Sequence, residues 1–227
     1  RGAIEQLVKL INGENIEFLS FCGDLTFVRK VKYIAALDYD TKALIDTIPE
    51  LVSIAVHPFN KAELGNRCVI NGYGIITPRI TTKLKSSLKS PFAKLVGGVG
   101  SSCAYDTLCS NLYQDTFGEG IFCGKGLIDV NAFYTLCCGF FPSEQILSHD
   151  ILEGSVLRTA FAGDVEFSDS FPPNSTSYFK RLHRWIRGDF QNISYLAKKI
   201  ETNDGEISNP FRLLDKFKLF DNIRRAA

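Results

Sequence analysis

The chain of 227 residues contains no methionine, not even at its first position. Two explanations stay open: the sequence is a piece of a longer protein, or methionines are missing from it as written. The chain also lacks any apolar run close to the eighteen or so residues that a membrane-spanning helix needs. Its first ten residues do not have the layout of a signal peptide. Within these residues we therefore expect no membrane span.

Charge and cysteine spacing exclude two further classes of protein. There are 26 basic and 25 acidic residues, which gives a net charge of +1, so we expect no strongly positive surface for nucleic acid. The seven cysteines form no CxxC pair and no metal-ligand spacing. Their odd number and their scatter through apolar segments are typical of free thiols in a reducing compartment.

Apolar runs with strand character alternate with helix-like stretches. The pattern predicts strands at 31–37, 68–80 and 163–169, and helices at 3–11, 41–58 (interrupted at Pro49), 129–138, 149–161 and 177–200. Such alternation is typical of an α/β fold with a mostly parallel sheet. We assign residues 1–200 to one domain and residues 201–227 to a linker (201–210) followed by a helix.

The C-terminal helix is predicted to be amphipathic. Leu213, Phe217 and Phe220 lie on one helical face, and the basic residues around it are Lys216, Lys218, Arg224 and Arg225. Two interpretations stay open. The helix lies on a membrane surface through this face, or it docks on the core of the domain.

Asp38 and Asp40 form a D-x-D pattern directly after the strand predicted at 31–37. Acids at the carboxyl end of a buried strand face the crevice where α/β sheets bind ligands. Their oxygens suit Mg²⁺ or Mn²⁺ and a substrate diphosphate. The alternative is structural: Asp38 is a turn residue and Asp40 is the N-cap of the next helix.

The segment "FGEGIFCGKG" (117–126) has four glycines in ten residues, which indicates a sharp turn or backbone close to a ligand. It is not a Walker P-loop, because Gly120 is one residue too near Gly124 and Lys125 and no Ser or Thr follows. A nucleoside-triphosphate site is therefore excluded here.

Two later segments carry further candidates. In "LSHDILEG" (147–154), Asp150 is a candidate general base, or with Glu153 a variant of the capping box. In "RLHRWIRGDFQ" (181–191), Arg181 and Arg184 lie one turn apart beside Trp185. Such arginines bind diphosphates in forked geometry, whereas the structural alternative is a solvated basic face with Trp185 turned to the core.

The order of these motifs resembles the processive inverting glycosyltransferases of family 2, which have the GT-A fold. The strings "LDYDT", "GYGIITPR", "FGEGIFCGKGLIDVNAF", "LSHDILEG" and "FDNIRR" are similar to the glycosyltransferase domain of cyclic β-1,2-glucan synthases over nearly the whole chain. Arg181 stands where the family 2 Q-x-x-R-W pattern has Gln. The family's preceding segment, which supplies the first strand of the nucleotide fold, and its later membrane helices are not in the sequence.

The resemblance implies a UDP-glucose donor, a growing β-glucan acceptor and a GT-A-like, Rossmann-type sheet. It implies that Asp150 is the general base and that Asp38 and Asp40 bind a Mg²⁺ or Mn²⁺ ion. The residues that it implies for the donor and its diphosphate are Asp38, Asp40, Arg181, Arg184 and Trp185. The acceptor contacts it implies are Phe117, Glu119 and Trp185.

The resemblance also places the domain at the cytoplasmic face of the bacterial inner membrane. It implies a larger parent that can carry a phosphorylase domain, and a fragment that is inactive by itself. Another family 2 synthase with a different sugar or linkage, or a module without turnover, are the alternatives.

Overall fold

The computed structural model describes residues 2–16, 22, 26–97, 111–142 and 146–226. In chain order the helices and strands are α1 (Gly2–Ile11), β1 (Tyr33–Ala36), β2 (Lys42–Ala43), α2 (Thr47–Val56), β3 (Glu63–Leu64), β4 (Val69–Asn71), β5 (Ile75–Thr82), α3 (Leu84–Ser87), α4 (Pro91–Val96), α5 (Leu112–Phe117), β6 (Gly126–Asp129), α6 (Val130–Leu136), α7 (Asp150–Leu157), β7 (Thr159–Asp169), α8 (Ser175–Gln191), β8 (Lys199–Thr202), β9 (Gly205–Ser208) and α9 (Leu213–Ala226). Short 3₁₀ turns cover Val28–Lys30 and Asn192–Leu196.

Strands β1, β6, β5, β7 and β2 lie side by side, in that order, in the central sheet of the described residues. Strands β5 and β7 pair in parallel, whereas β1 with β6, β6 with β5, and β7 with β2 are antiparallel. The α/β class is confirmed, but the sheet is mixed and not mostly parallel. Apolar composition indicates that a strand is covered on both faces, and it does not indicate in which direction the strand runs.

Strand directions determine which segments meet at one edge of the sheet. Because β1 and β5 are both antiparallel to β6, and β7 is parallel to β5, the strands β1, β5 and β7 all run the same way. The carboxyl ends of β1 and β7 therefore lie at the same edge as the start of β6. Residues just after β1, at the end of β7 and just before β6 are brought together there.

Both faces of the sheet are covered by apolar side chains. On one face, Ile75 and Ile128 join a cluster that α6, α7 and α9 complete. On the other, the neighbouring residues Ile76 and Leu127 pack with Leu51 of α2. This alternation follows from the two-residue repeat of a strand, and it produces a three-layer arrangement of helix, sheet and helix.

The segment predicted as a helix over 41–58 contains a short strand first. β2 pairs with β7, and α2 then begins at Thr47 after Asp46, which has a φ of 65°. Asp40 is therefore not the N-cap of a helix, and that alternative is wrong. Pro49 lies in the first turn, where its missing N–H removes no helical hydrogen bond, so the expected interruption does not occur.

The single strand predicted over 68–80 is two strands, β4 and β5, in different sheets. Gly72 separates them with a φ of 66°, and a Cβ there would lie 2.0 Å from the carbonyl oxygen of Lys61. The backbone of Lys61 therefore lies close against Gly72. A side chain at Gly72 would force the β3–β4 hairpin away from the start of β5.

Helix α9 docks on the core through Leu219 and Ile223, as the second interpretation of this helix expected. Docking leaves Leu213, Phe217 and Phe220 largely exposed, by 86%, 49% and 52%. The stretch 201–210, expected to be a linker, instead contributes to the β8–β9 hairpin.

Nowhere in the described residues is a helix long and apolar enough to cross a membrane. Cys22 and Cys68 carry free thiols, as expected. Cys103 and Cys109 lie outside the described residues.

Candidate active site

The D-x-D turn follows β1 at the edge where β1 and β7 end. Asp38 is 59% exposed in its side chain, and its Oδ2 lies 3.0 Å from the ammonium of Lys125. Asp40 is half-buried, and its backbone carbonyl accepts a hydrogen bond from Lys83. The two acids thus have different surroundings: the Asp38 carboxylate is paired with Lys125, whereas Asp40 is contacted by Lys83 through its backbone carbonyl.

A buried ion pair anchors this turn. Lys125 donates to Oδ2 of Asp169 at 2.5 Å, and Thr41 donates to its Oδ1 at 2.6 Å. Burial by itself would lower the pKa of Lys125, but the hydrogen bond and the charge of Asp169, together with Asp38, outweigh it and raise that pKa. Lys125 therefore remains charged, and Asp169 fixes the D-x-D turn at two points.

Neither Lys125 nor Asp169 was predicted as a site residue. The sequence contains a signal for Asp169, because this residue ends β7 in the same way that Asp38 comes shortly after the end of β1. The carboxyl ends of strands that run in the same direction lie at one edge of a sheet. In the sequence, Lys125 stands out only as part of a segment that does not match the P-loop pattern. Its role depends on the antiparallel direction of β6, which the sequence pattern did not reveal.

Asp150 is the first residue of α7, and His149 precedes it without a side-chain cap. The capping-box alternative is therefore wrong. Oδ1 of Asp150 lies 3.1 Å from Nδ1 of His149, and the side chain is 34% exposed. Burial raises the pKa of Asp150, His149 opposes this shift, and the charges of Glu153 and Asp38 add to it. Asp38, in the D-x-D turn, therefore contributes to the electrostatic surroundings of the predicted base.

The glycine-rich segment reaches Asp150 directly. Gly124 has a φ of 85°, and a Cβ there would lie 2.8 Å from Oδ2 of Asp150. Since Lys125 follows immediately and contacts Asp38, this segment touches both predicted acids. The expectation of a sharp turn is confirmed at Gly124.

We expect Gly124→Ala in the full-length protein to lower the rate of its reaction by about 10- to 100-fold, because a misplaced catalytic group costs this much. The added methyl group would press on Oδ2 of Asp150. Gly139→Ala is the matched control, since Gly139 has a φ of 72° but open space where a Cβ would lie. It carries the same backbone strain, about 1–2 kcal/mol. Equal losses of rate in the two variants would contradict the prediction.

Helix α8 carries the predicted Arg and Trp residues. The guanidinium of Arg181 lies 4.8 Å from the ring centroid of Trp185, which is 46% exposed. Arg184 is exposed as well. The alternative in which Trp185 is buried in the core is therefore wrong, and a flat aromatic face with a cation stacked on it is open to solvent.

The end of α8 is tied to the turn that precedes Asp150. Asn192 donates to the carbonyl oxygen of Ser148 at 2.7 Å, and the Ser148 hydroxyl contacts Asp189 at 3.3 Å. A Cβ at Gly188 would lie 2.6 Å from the Cβ of Ser148. The fold therefore couples the Arg and Trp helix to the base through residues 147–149.

Glu119 and Phe117 differ sharply in environment. The Glu119 side chain is buried, and its oxygens accept from Arg158 at 2.7 Å and from Arg212 at 2.6 and 2.7 Å. A sugar could reach this carboxylate only by displacing the arginines. Phe117 is 49% exposed at the end of α5, beside Tyr113.

The donor atoms of the D-x-D turn fit a hard divalent cation. They are carboxylate oxygens, which Mg²⁺ and Mn²⁺ prefer. Within the described residues, the Asp40 carboxylate has no hydrogen-bond or ion-pair partner, whereas one oxygen of Asp38 is held by Lys125. Asp40 and Asp38 are therefore the residues that would hold such an ion.

No family model matches the chain. Over its whole length the chain is 34% identical, across 230 aligned positions, to a region of the cyclic beta-(1,2)-glucan synthase NdvB of Rhizobium meliloti (strain 1021). It spans 8% of the length of that relative. The chain is therefore related to one region of a glucan synthase, as the motif order indicated.

Proposed function

We propose that the chain is the glucosyltransferase region of a larger glucan synthase, and that it transfers glucose from UDP-glucose with inversion to build a β-1,2-glucan. The observation that carries this proposal is the 34% identity to the glucan synthase over the entire chain. The convergence of Asp38, Lys125 and Asp150 at one edge of the sheet supports it.

Asp150 acts as the general base in this proposal. The O–H bond of the acceptor 2-hydroxyl breaks and its proton passes to Asp150, while the freed oxygen bonds to the anomeric carbon. The bond from that carbon to the diphosphate breaks, and its electron pair leaves on UDP. Because the donor is α-linked and the product is β-linked, a single displacement is enough. A raised pKa of Asp150 suits proton transfer nearer neutral pH.

The donor site is formed around the D-x-D turn. Asp40, with Asp38, would hold a Mg²⁺ or Mn²⁺ ion, whose chemistry there is to neutralise the diphosphate leaving group. Lys125 keeps Asp38 in place. Arg184 and the stacked pair of Arg181 and Trp185 would bind the diphosphate or the acceptor chain, since an exposed aromatic face suits a sugar ring.

The parent protein is part of the proposal. A length of only 8% of the relative leaves room for further domains, including membrane helices and a phosphorylase domain. We place the domain at the cytoplasmic face of the bacterial inner membrane. The exposed face of Leu213, Phe217 and Phe220, with Arg224 and Arg225 at the end of the same helix, suits contact with that membrane.

The test is to incubate the full-length protein in membranes with labelled UDP-glucose and Mg²⁺ or Mn²⁺, and to analyse the linkage of the product. We expect labelled glucan with β-1,2 bonds. Labelled UDP-galactose and UDP-N-acetylglucosamine serve as control donors. A polymer made only from a control donor would favour another family 2 synthase, and no incorporation from any donor would favour a module without turnover.

A further inference from the structure

His149 lies between two carboxylates at the start of α7. Its Nδ1 is 3.1 Å from Oδ1 of Asp150 and 3.3 Å from Oε2 of Glu153. The Glu153 side chain is 1% exposed and that of His149 is 20% exposed. Neither contact is aligned as a hydrogen bond, although the Nδ1 atom is shielded from solvent. The imidazole therefore acts on Asp150 through charge and steric contact.

The surroundings of Asp150 are mainly acidic. Glu153 on its own helix and Asp38 after β1 both disfavour a negative charge on it. Lys125, from the segment before β6, contacts Asp38 and Asp169. On the side of α8, Asp189 contacts the turn through Ser148. Within the described residues, His149 is the group with a cationic form that contacts Asp150 itself.

We propose that His149 is a positioning residue for the base, which holds Oδ1 of Asp150 and, in its protonated form, keeps Asp150 ionised beside Glu153 and Asp38. This inference rests on the proposed function, in which Asp150 is the base. With Oδ1 directed to His149, Oδ2 is left facing the glycine-rich segment at Gly124. The acceptor proton then goes to Oδ2.

The test is the pH profile of kcat in the full-length protein, with His149→Gln, His149→Lys and Glu153→Gln. Activity requires an ionised base, so it rises with pH through the pKa of Asp150. Removing a neighbouring positive charge raises that pKa, so His149→Gln should move the acidic limb to higher pH. A shift of about one unit means a tenfold loss of kcat on that limb. The KM for UDP-glucose should change little.

Two further variants separate this role from a structural one. His149→Lys restores a positive charge and should move the limb back toward the wild-type position. Glu153→Gln removes a neighbouring negative charge and should move the limb to lower pH, and this variant tests the proposal even if His149→Gln fails to fold. An acidic limb that stays in place in Glu153→Gln, or one that His149→Lys does not restore, would overturn the proposal. If the wild-type protein used no UDP-glucose at all, the proposed function would fail instead.

Discussion

Asp150→Asn in the full-length protein is expected to lower kcat for glucan formation by about 10²- to 10⁴-fold, the usual contribution of a general base. The amide keeps the size and shape of the carboxyl but cannot take the proton of an acceptor hydroxyl. Donor binding should survive, because Asp38 is held by Lys125 at 3.0 Å and Lys125 by Asp169 at 2.5 Å, and neither contact involves Asp150. The measurement is labelled glucan per minute, together with the affinity for labelled UDP.

Asp164→Asn is the matched control for this substitution. Asp164 lies in β7 and is exposed, so its substitution by Asn makes the same chemical change away from the cleft. We expect wild-type rates from it. An Asp150→Asn protein that keeps more than about a tenth of the wild-type rate would remove Asp150 from the role of base, since even a weak general base contributes more than this.

The positions of the acids were predictable because local patterns determine them. A β-branched apolar run followed by Asp38 predicted a strand end with a carboxylate beyond it, and β1 ends at Ala36 as expected. Helix α7 likewise starts at Asp150. In both cases the signal lies within a few residues of chain, where hydrophobic periodicity and turn residues are informative.

What joins these acids could not be predicted in the same way. The contact between Lys125 and Asp38 joins residues 87 positions apart in the sequence, through a strand that runs antiparallel to its neighbours. No periodicity encodes that direction. The ion pair of Lys125 with Asp169 depends on it as well, which explains why the anchor of the D-x-D turn was missed.

Glu119 is predicted to contact the acceptor, but the structure gives it a structural role. The resemblance placed it at the acceptor because it lies in the glycine-rich segment. In the structure its carboxylate accepts hydrogen bonds from Arg212, the residue before α9, and from Arg158, the residue after α7. The partner residues lie 39 and 93 positions away, so only the tertiary fold reveals that Glu119 is buried.

Glu119→Gln is expected to lower the stability of the 227-residue chain by about 3–5 kcal/mol, the usual cost of removing one partner from a buried ion pair. Arg158, Arg212 and Lys218 surround Glu119, and Asp215 is the other acid that contacts Arg212. The substitution leaves three cations against one buried carboxylate. For a chain of this size the loss corresponds to a Tm lower by roughly 6–20 °C, which differential scanning calorimetry or circular dichroism would measure.

Glu206→Gln provides the control, because the ion pair of Glu206 with Lys199 is exposed by 63% and 67%. Such pairs contribute less than about 1 kcal/mol.

The pH dependence gives a second check. Burial alone would raise the pKa of Glu119, but Arg212, Lys218 and Arg158 outweigh it and hold that pKa below its usual value. The stabilisation is therefore present above the unfolded pKa of about 4.3 and is lost as pH falls through the lower folded value. The difference in Tm between wild type and Glu119→Gln should be full at pH 7 and shrink below pH of about 4, whereas a difference that is unchanged by acid would show that packing, and not charge, holds Glu119 in place.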